Sequence, residues 1–445
     1  MTQRPRVVGI VAGAGSLPRE IAAHVTARGD LVHIVSIAGE GDDTDLEPFP
    51  LTRVGWAQIG RLLRALRNAS VSELVIVGAV RRPDVASLRP DFGVVTNMPA
   101  VLRILRTGGD DSILSRIVRF FESKGFKVVS PVDVMPSLRV SAGPLGQERM
   151  TAADRADVAL GFDVVRALGP FDIGQAVVVA DGRIAAIEGA ENTDAMLARL
   201  VKPPDRRARS VSQGDAIDAP TTTGRRGVLV KRPKPRQEMR VDLPAIGPQT
   251  VSRVLEAGLR GVAVLADGAI ALERDELARA ANLAQMFVEG VADHGGEAAA
   301  ALAGLRGFVA VGKHKPSSQQ SADATKAADA LTALRPYARS EGAVIDRGHI
   351  LAIACGEGHE ALASRAGRLR QWGRKSRRQP TAIAVIAVQQ LDEVGRLLAC
   401  AEANRIAGIA VLGVCADDVA PYIAQADGLG LVLLVEKTDR HIKEE

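Results

Sequence analysis

Aromatic residues are scarce in this 445-residue chain, where Phe, Trp and Tyr together make up 3%. That excludes the stacking platforms that single-stranded nucleic acid requires, so no nucleic-acid partner is expected, and cores must be built from Ala, Val, Leu and Ile. Cysteine is rarer still. Cys355, Cys400 and Cys415 have neither metal-ligand spacing nor an even number, which excludes a disulfide framework and agrees with a reducing compartment. Seven histidines are scattered singly, which disfavours a dinuclear His/Asp centre. The start, MTQRPRVVGIVAGAG, has no apolar run long enough for a signal peptide or a spanning helix, so a cytoplasmic location is expected.

What is present describes a soluble globular protein, with 47% apolar and 24% charged residues. The length suits about three domains. A formal excess of five positive charges is modest. It suits an anionic substrate or an anionic membrane face, and equally a solvated basic surface.

The most informative stretch runs from Gly227 to Val251, GVLVKRPKPRQEMRVDLPAIGPQTV. It opens as a short apolar strand, Val228 to Val230, and turns at once into a basic segment that Pro233 and Pro235 keep out of helix. Lys231, Lys234 and Arg236 therefore ride on extended or looped backbone. A single carboxylate, Asp242, follows between Val241 and Leu243; Pro244, Gly247 and Pro248 stiffen the turn before a helical pattern from Gln249 to Ala257. One acid beside fixed cations on a stiff turn suits a phosphate or a metal.

Upstream, Arg6 to Ala12 reads as a buried strand, and Gly13-Ala14-Gly15 as a turn into a helix capped by Ser16 with Pro18 in its first turn. Such a turn serves either a ligand phosphate or plain strand-to-helix packing. The dinucleotide fingerprint fails because Pro18 stands where its third glycine belongs, which argues against a nicotinamide-dependent dehydrogenase. Strands Leu31 to Ile37 and Glu73 to Val80, around a helix Ala57 to Asn68, complete a βαβαβ rhythm and predict a parallel sheet. Arg81 and Arg82 leave the third strand at its carboxyl end, where such sheets bind ligands and where arginine forks match a diphosphate. Asp110 and Asp111 precede a helix, Ser112 to Lys124, as caps or as ligand contacts.

A second domain begins with a helix Thr151 to Leu168 and a hairpin, Gln175 to Ala180 and Arg183 to Ile187, about Asp181-Gly182. Glu188, Glu191 and Asp194 then recur every three residues. They either converge on a cation, for which an oxygen set suits Mg²⁺ better than zinc, or belong with Thr193 to a capping box for the helix Ala195 to Leu200. After a long polar loop, 202–226, come the central stretch, a strand Gly261 to Leu265 and a helix Asp275 to Asn282.

Several of these strings together resemble the LpxI-type UDP-2,3-diacylglucosamine pyrophosphatases of lipid A biosynthesis. The resemblance is carried by Ala12-Gly13-Ala14-Gly15 with Leu17-Pro18, Val80-Arg81-Arg82-Pro83, Gly109-Asp110-Asp111, Gln175 through Glu188-Gly189, Thr193-Asp194-Ala195-Met196-Leu197, and Val241 through Pro248. These span roughly residues 5 to 290 in family order, which is more specific than any single motif. The resemblance implies hydrolysis of UDP-2,3-diacylglucosamine to UMP and 2,3-diacylglucosamine 1-phosphate with Mg²⁺, at the cytoplasmic surface of the inner membrane as a peripheral protein. It implies Asp242 and Lys231 as catalytic residues and Gly13, Gly15, Arg81, Arg82, Asp110, Asp111, Thr193, Asp194, Lys234 and Gly247 as substrate contacts. Asp242, Glu188 and Glu191 are the expected metal ligands. A non-catalytic nucleotide-sugar or lipid-binding regulator of the same fold is the alternative, and a homo-oligomer is left open.

The chain continues past the family's usual end. Residues 313–329 read as a flexible linker, and 330–445 as a further block. Ile350 to Leu362 overlays Ile184 to Met196 without a gap, and Ala407 to Val411 echoes Arg260 to Val264, which marks a degenerate copy of the second domain. The copy has Ala354 for Glu188, His359 for Thr193, and only Val388-Gln389-Gln390 where Lys231, Lys234 and Asp242 belong. It is expected to pack, dimerise or face a membrane through the basic run Arg368 to Arg378, and not to catalyse. The fold expected is therefore α/β throughout: a Rossmann-like parallel-sheet domain over 1–140, a catalytic α/β domain over 147–295, and the copy.

Overall fold

The computed structural model describes residues 6–40, 43–80, 91–93, 110–201, 224–235, 237–293, 295, 307–338, 340, 342–370, 380–388 and 390–437. Two compact units emerge. One comprises Met1–Ala142, Arg236–Pro248 and Ala266–Ala278, the other Gly143–Pro235, Gln249–Leu265 and Arg279–Glu445.

The first unit is built on five parallel strands, β1 (Val7–Ala12), β2 (Leu31–Ile37), β3 (Leu51–Val54), β4 (Glu73–Val77) and β5 (Lys127–Val128), in the order β3-β2-β1-β4-β5. The βαβ rhythm is thus present, with β3 as an additional short strand on the edge. Helices α1 (Leu17–Ala27), α2 (Ile59–Asn68) and α3 (Asp110–Ser123) accompany the sheet, followed by the single turn α4 (Pro131–Val134). One core joins Ile10, Ile21, Val25 and Ile34, and the other joins Val11, Leu63, Leu66 and Phe121. Both lie where alternating apolar residues of a two-faced sheet must be covered. Strand order reverses between β1 and β4, which is the ligand-binding position of such sheets. Gly13-Ala14-Gly15 and Gly78-Ala79 leave the two strands there.

The second unit opens with β6 (Gly143–Pro144) and the helix α5 (Ala152–Leu168), whose Thr151 and Asp154 form a reciprocal capping box. The expected hairpin follows as β7 (Ala176–Ala180) and β8 (Arg183–Ile187), then the short helix α6 (Thr193–Ala198) and β9 (Val228–Lys231). From there the chain visits the first unit, where β10 (Ala245–Ile246) pairs in parallel with a later strand, and returns through α7 (Pro248–Glu256) to β11 (Gly261–Leu265). The partner of β10 is β12 (Ile270–Ala271); α8 (Arg274–Leu283) and β13 (Phe287–Val291) then complete a six-stranded sheet, β6-β13-β11-β9-β7-β8. Its β9, β11 and β13 are mutually parallel, and β6, β7 and β8 join antiparallel.

Residues expected to form a flexible linker instead start a helix, α9 (Ser318–Leu334), with Ser317 and Gln320 as its capping box. Composition misled here: Ser and Gln cap the first turn, and the Ala-rich remainder is strongly helix-forming and buries Ala324, Ala327, Ala328 and Leu331. The rest of the block adds β14 (Phe308–Val311) ahead of that helix, then β15 (Gly342–Asp346), β16 (His349–Ile353), α10 (His359–Arg370), β17 (Ile383–Ala387), α11 (Glu393–Ala403), β18 (Gly408–Leu412), α12 (Ala416–Leu429) and β19 (Val432–Glu436). Sheet order is β14-β19-β18-β17-β15-β16, with the same alternation of parallel and antiparallel neighbours as the preceding sheet. Among the described residues no helix is long and apolar enough to cross a membrane.

Candidate active site

Gly13 is explained by packing. A Cβ there would lie 2.5 Å from the carbonyl oxygen of Ala79, and one on Gly78 would lie 2.7 Å from the carbonyl carbon of Gly13. The two glycine turns lock together through Gly13 N–H to Val77 O at 2.9 Å and Ala14 N–H to Ala79 O at 2.7 Å. Gly15, at φ 108°, has open space where its side chain would stand, so it alone of the pair leaves room for an approaching ligand. Ser16 does not cap α1. Its backbone is already helical and its hydroxyl donates to Glu20 at 3.0 Å. Arg81 and Arg82 lie outside the described residues, as do the side chains of Asp110 and Asp111 at the start of α3.

Asp242 belongs to the first unit. It is half-buried, and its backbone is pinned from both sides: its N–H donates to Glu238 O at 3.0 Å, and Gln237 Nε2 donates to its carbonyl at 2.7 Å. The neighbouring turn is held by Arg240, whose guanidinium bonds both carboxylate oxygens of Glu238 and also reaches Glu122. Those bonds push the Arg240 pKa up and hold Glu238 below the usual carboxylate range. Gly247 is buried at the end of β10.

In the second unit, cations gather at the carboxyl end of β9. Lys231 ends that strand and is 6% exposed, its backbone lying beside Ala176 on one side and Val264 on the other. Its charge bears on Glu188, which is buried and accepts from Gln175 N–H at 2.8 Å and from the Thr193 hydroxyl at 2.8 Å. Burial pushes the Glu188 carboxyl up; Lys231 and the two donors pull it back only partly, so it remains raised above its ordinary value. Lys234 donates to Asp172 at 2.5 Å, and Arg232 to Asp293 at 2.6 Å. Asp293 also binds Arg166 at 2.5 Å; burial raises its pKa, but the Gly295 N–H and the two guanidinium groups outweigh that and leave it lowered.

The structure therefore brings Glu188, Thr193 and Lys231 together and adds three acid–base pairs. Glu188, Glu191 and Asp194 do not converge: Glu191 turns to Arg199 and Arg365 at 3.2 and 3.0 Å, and Asp194 is exposed. The helix after them is capped by Asn192, which accepts from Ala195 N–H at 2.8 Å, and not by Thr193. Among the described residues no group of three or more His, Cys, Asp or Glu side chains is disposed to hold a metal. Glu188 spends both oxygens on protein donors, and Glu191 pairs with Arg199 and Arg365 through Oε1 while its buried Oε2 has no hydrogen-bond partner; one spare carboxylate oxygen does not make a site for a resident Mg²⁺. Asp242, half-buried on a pinned turn, fits the contribution of one carboxylate to an ion otherwise held by substrate phosphates.

Arg232, Asp172 and Asp293 are absent from the sequence reading. Arg232 lies inside the basic run and was legible as a cation, but nothing in the order of residues pairs it with an acid 61 positions away.

A parallel-sheet unit with a glycine turn at its switch point, joined in sequence to a mixed α/β domain with paired cations at a strand end, defines the class. The LpxI N-terminal domain model matches residues 7–138 and the LpxI C-terminal domain model residues 141–289. The chain is 35% identical over 287 residues to the UDP-2,3-diacylglucosamine pyrophosphatase LpxI of Caulobacter vibrioides, covering 64% of this chain and 98% of that protein. The chain belongs to the LpxI family.

Proposed function

We propose that this protein hydrolyses the diphosphate of UDP-2,3-diacylglucosamine, releasing UMP and 2,3-diacylglucosamine 1-phosphate in lipid A biosynthesis. The observation that carries the reading is the match across 98% of a relative bearing that activity in its name, with both domain models in order. The residues present have the chemistry required. Diphosphate cleavage needs positive charge where phosphate oxygens gain charge, and a positioned water. Lys231, Arg232 and Lys234 leave β9 at the end where ligands of parallel strands sit; Arg232 and Lys234 are held by Asp293 and Asp172, which fixes their direction before substrate arrives, and Lys231 lies within the field of Glu188. Asp242 orients the attacking water. Mg²⁺, when bound, would supply Lewis-acid neutralisation of the diphosphate, with Asp242 as its protein ligand. The protein works in the cytoplasm at the inner-membrane surface, where its acylated substrate lies.

Release of UMP from UDP-2,3-diacylglucosamine by the purified chain, with Mg²⁺ or with chelator, tests the reading. Turnover that chelator abolishes is expected; binding of the nucleotide sugar without UMP release would instead identify a regulator. Asp242→Ala is expected to lower turnover more than tenfold, about 1.4 kcal/mol of barrier, without moving the unfolding midpoint. Retention of most activity removes Asp242 from the reaction.

We also infer that the block after residue 307 arose by duplication of the second domain and does not catalyse. It repeats the strand order, and Ala354 and His359 stand where Glu188 and Thr193 do.

A further inference from the structure

The two similar sheets of the second unit meet through matching residues. α5 and α9 begin at Ala152 and Ser318 and end at Leu168 and Leu334, an offset of 166 positions at both ends. The same offset relates β7 to β15 and β8 to β16, and the irregularity between Val178 and Val179 to that between Val344 and Ile345. One hydrophobic core contains both halves. Within it Val165, Leu168 and Ile187 have Leu331, Leu334 and Ile353 at that offset.

At the contact lies a ring of four charges. Arg199 Nη2 donates to Ile187 O at 2.8 Å and pairs with Glu191 at 3.2 Å. At the same offset, Arg365 Nη2 donates to Ile353 O at 2.9 Å and pairs with Glu357. The ring then closes across the two halves in both directions, Arg365 with Glu191 at 3.0 Å and Arg199 with Glu357 at 3.9 Å. Residue i touching j while the counterpart of j touches that of i is the signature of an isologous two-fold interface. The copy has changed its site residues, yet it keeps Glu357 and Arg365, which close this contact.

We propose that residues 307–437 occupy the place of a second copy of the 143–291 domain in a two-fold dimer, so that this chain carries its dimer partner internally. Tethering raises the local concentration of the attached half to the millimolar range, so it excludes a second chain from the face around Glu191 and Arg199. The proposal is independent of the reaction catalysed.

Two measurements test it. The full chain is expected to sediment at its monomer mass of 46.8 kDa. The Caulobacter vibrioides relative, matched over 64% of this chain, is expected to sediment at twice its own monomer mass, with cross-links between its two copies of the segment aligned with residues 187–199. A monomeric relative, or a dimer cross-linked elsewhere, overturns the proposal. In the full chain, Glu357→Arg with Arg365→Glu keeps the pair inside the repeat but opposes like charges across the contact, and is expected to lower the unfolding midpoint. Adding Glu191→Arg and Arg199→Glu restores alternation and the midpoint. A fourfold variant no more stable than the double one also overturns it.

Discussion

Glu188 shows what burial does to a single carboxyl in this protein. Its pKa is raised above the ordinary 4.5, so the folded chain holds its proton at a pH where the unfolded chain has released it. Stability from that proton is complete below pH 4.5 and is lost as pH rises through the raised value. Glu188→Gln, which cannot ionise, is expected to remove this fall, seen as a flatter dependence of the denaturant midpoint on pH above 4.5. Asp293 acts in the opposite direction. Its pKa is lowered from 3.8, so its contribution is present above that value and disappears as pH falls through the lowered one. Residue types at these positions were legible, and so was the basic run around Lys231. Their partners were not, because Glu188 and Lys231 meet only once β7, β8 and β9 are laid side by side.

At the scale of elements, close packing of α5 on β9 limits what the helix can carry. A Cβ at Gly161 would stand 2.7 Å from Val230 Cγ2. Gly161→Leu is therefore expected to destabilise by about 1–3 kcal/mol through overpacking, measured by chemical denaturation. The same helix supports the hairpin turn. Asp157 is buried and accepts from Asp181 N–H at 3.1 Å and from Gly182 N–H at 2.7 Å, and Asp323 accepts from Gly348 N–H at 2.7 Å beside the C-terminal sheet. Asp157→Ala is expected to cost about 1–3 kcal/mol, with faster hydrogen exchange at Asp181 and Gly182. Turns and helices of this kind could be read from Asp-Gly and from capping residues. The edge strand β3 and the helix α9 could not, since four residues carry little periodicity and a Ser/Gln-rich opening resembles a linker.

For the whole molecule, the ring at the contact between the two related sheets is the most consequential charge arrangement. Arg365 and Glu191 are buried at 9% and 5% side-chain exposure, so removing one leaves the other charged and desolvated. Arg365→Met is expected to lower stability by about 3–5 kcal/mol, more than any exposed pair, in equilibrium unfolding. In sequence Arg365 stands just ahead of the basic run Arg368 to Arg378, with nothing to mark it as buried. Its burial follows from its place on α10 against Ile353 and Glu357, while residues 371–379 lie outside the described residues.

Order along the chain determined the class of each segment: apolar runs of four to seven residues became strands, Asp181-Gly182 became a turn, and the gapless overlay of Ile184 to Met196 on Ile350 to Leu362 matched two strand-to-helix segments of the same layout. Those features are local, fixed by neighbours and by backbone preferences. Tertiary structure alone decided which charges neutralise which, that residues 236–248 and 266–278 belong with the N-terminal sheet, and that the two related sheets share one core. Such pairings join residues tens to hundreds of positions apart. Their energies depend on desolvation and distance, quantities that exist only after the chain has folded.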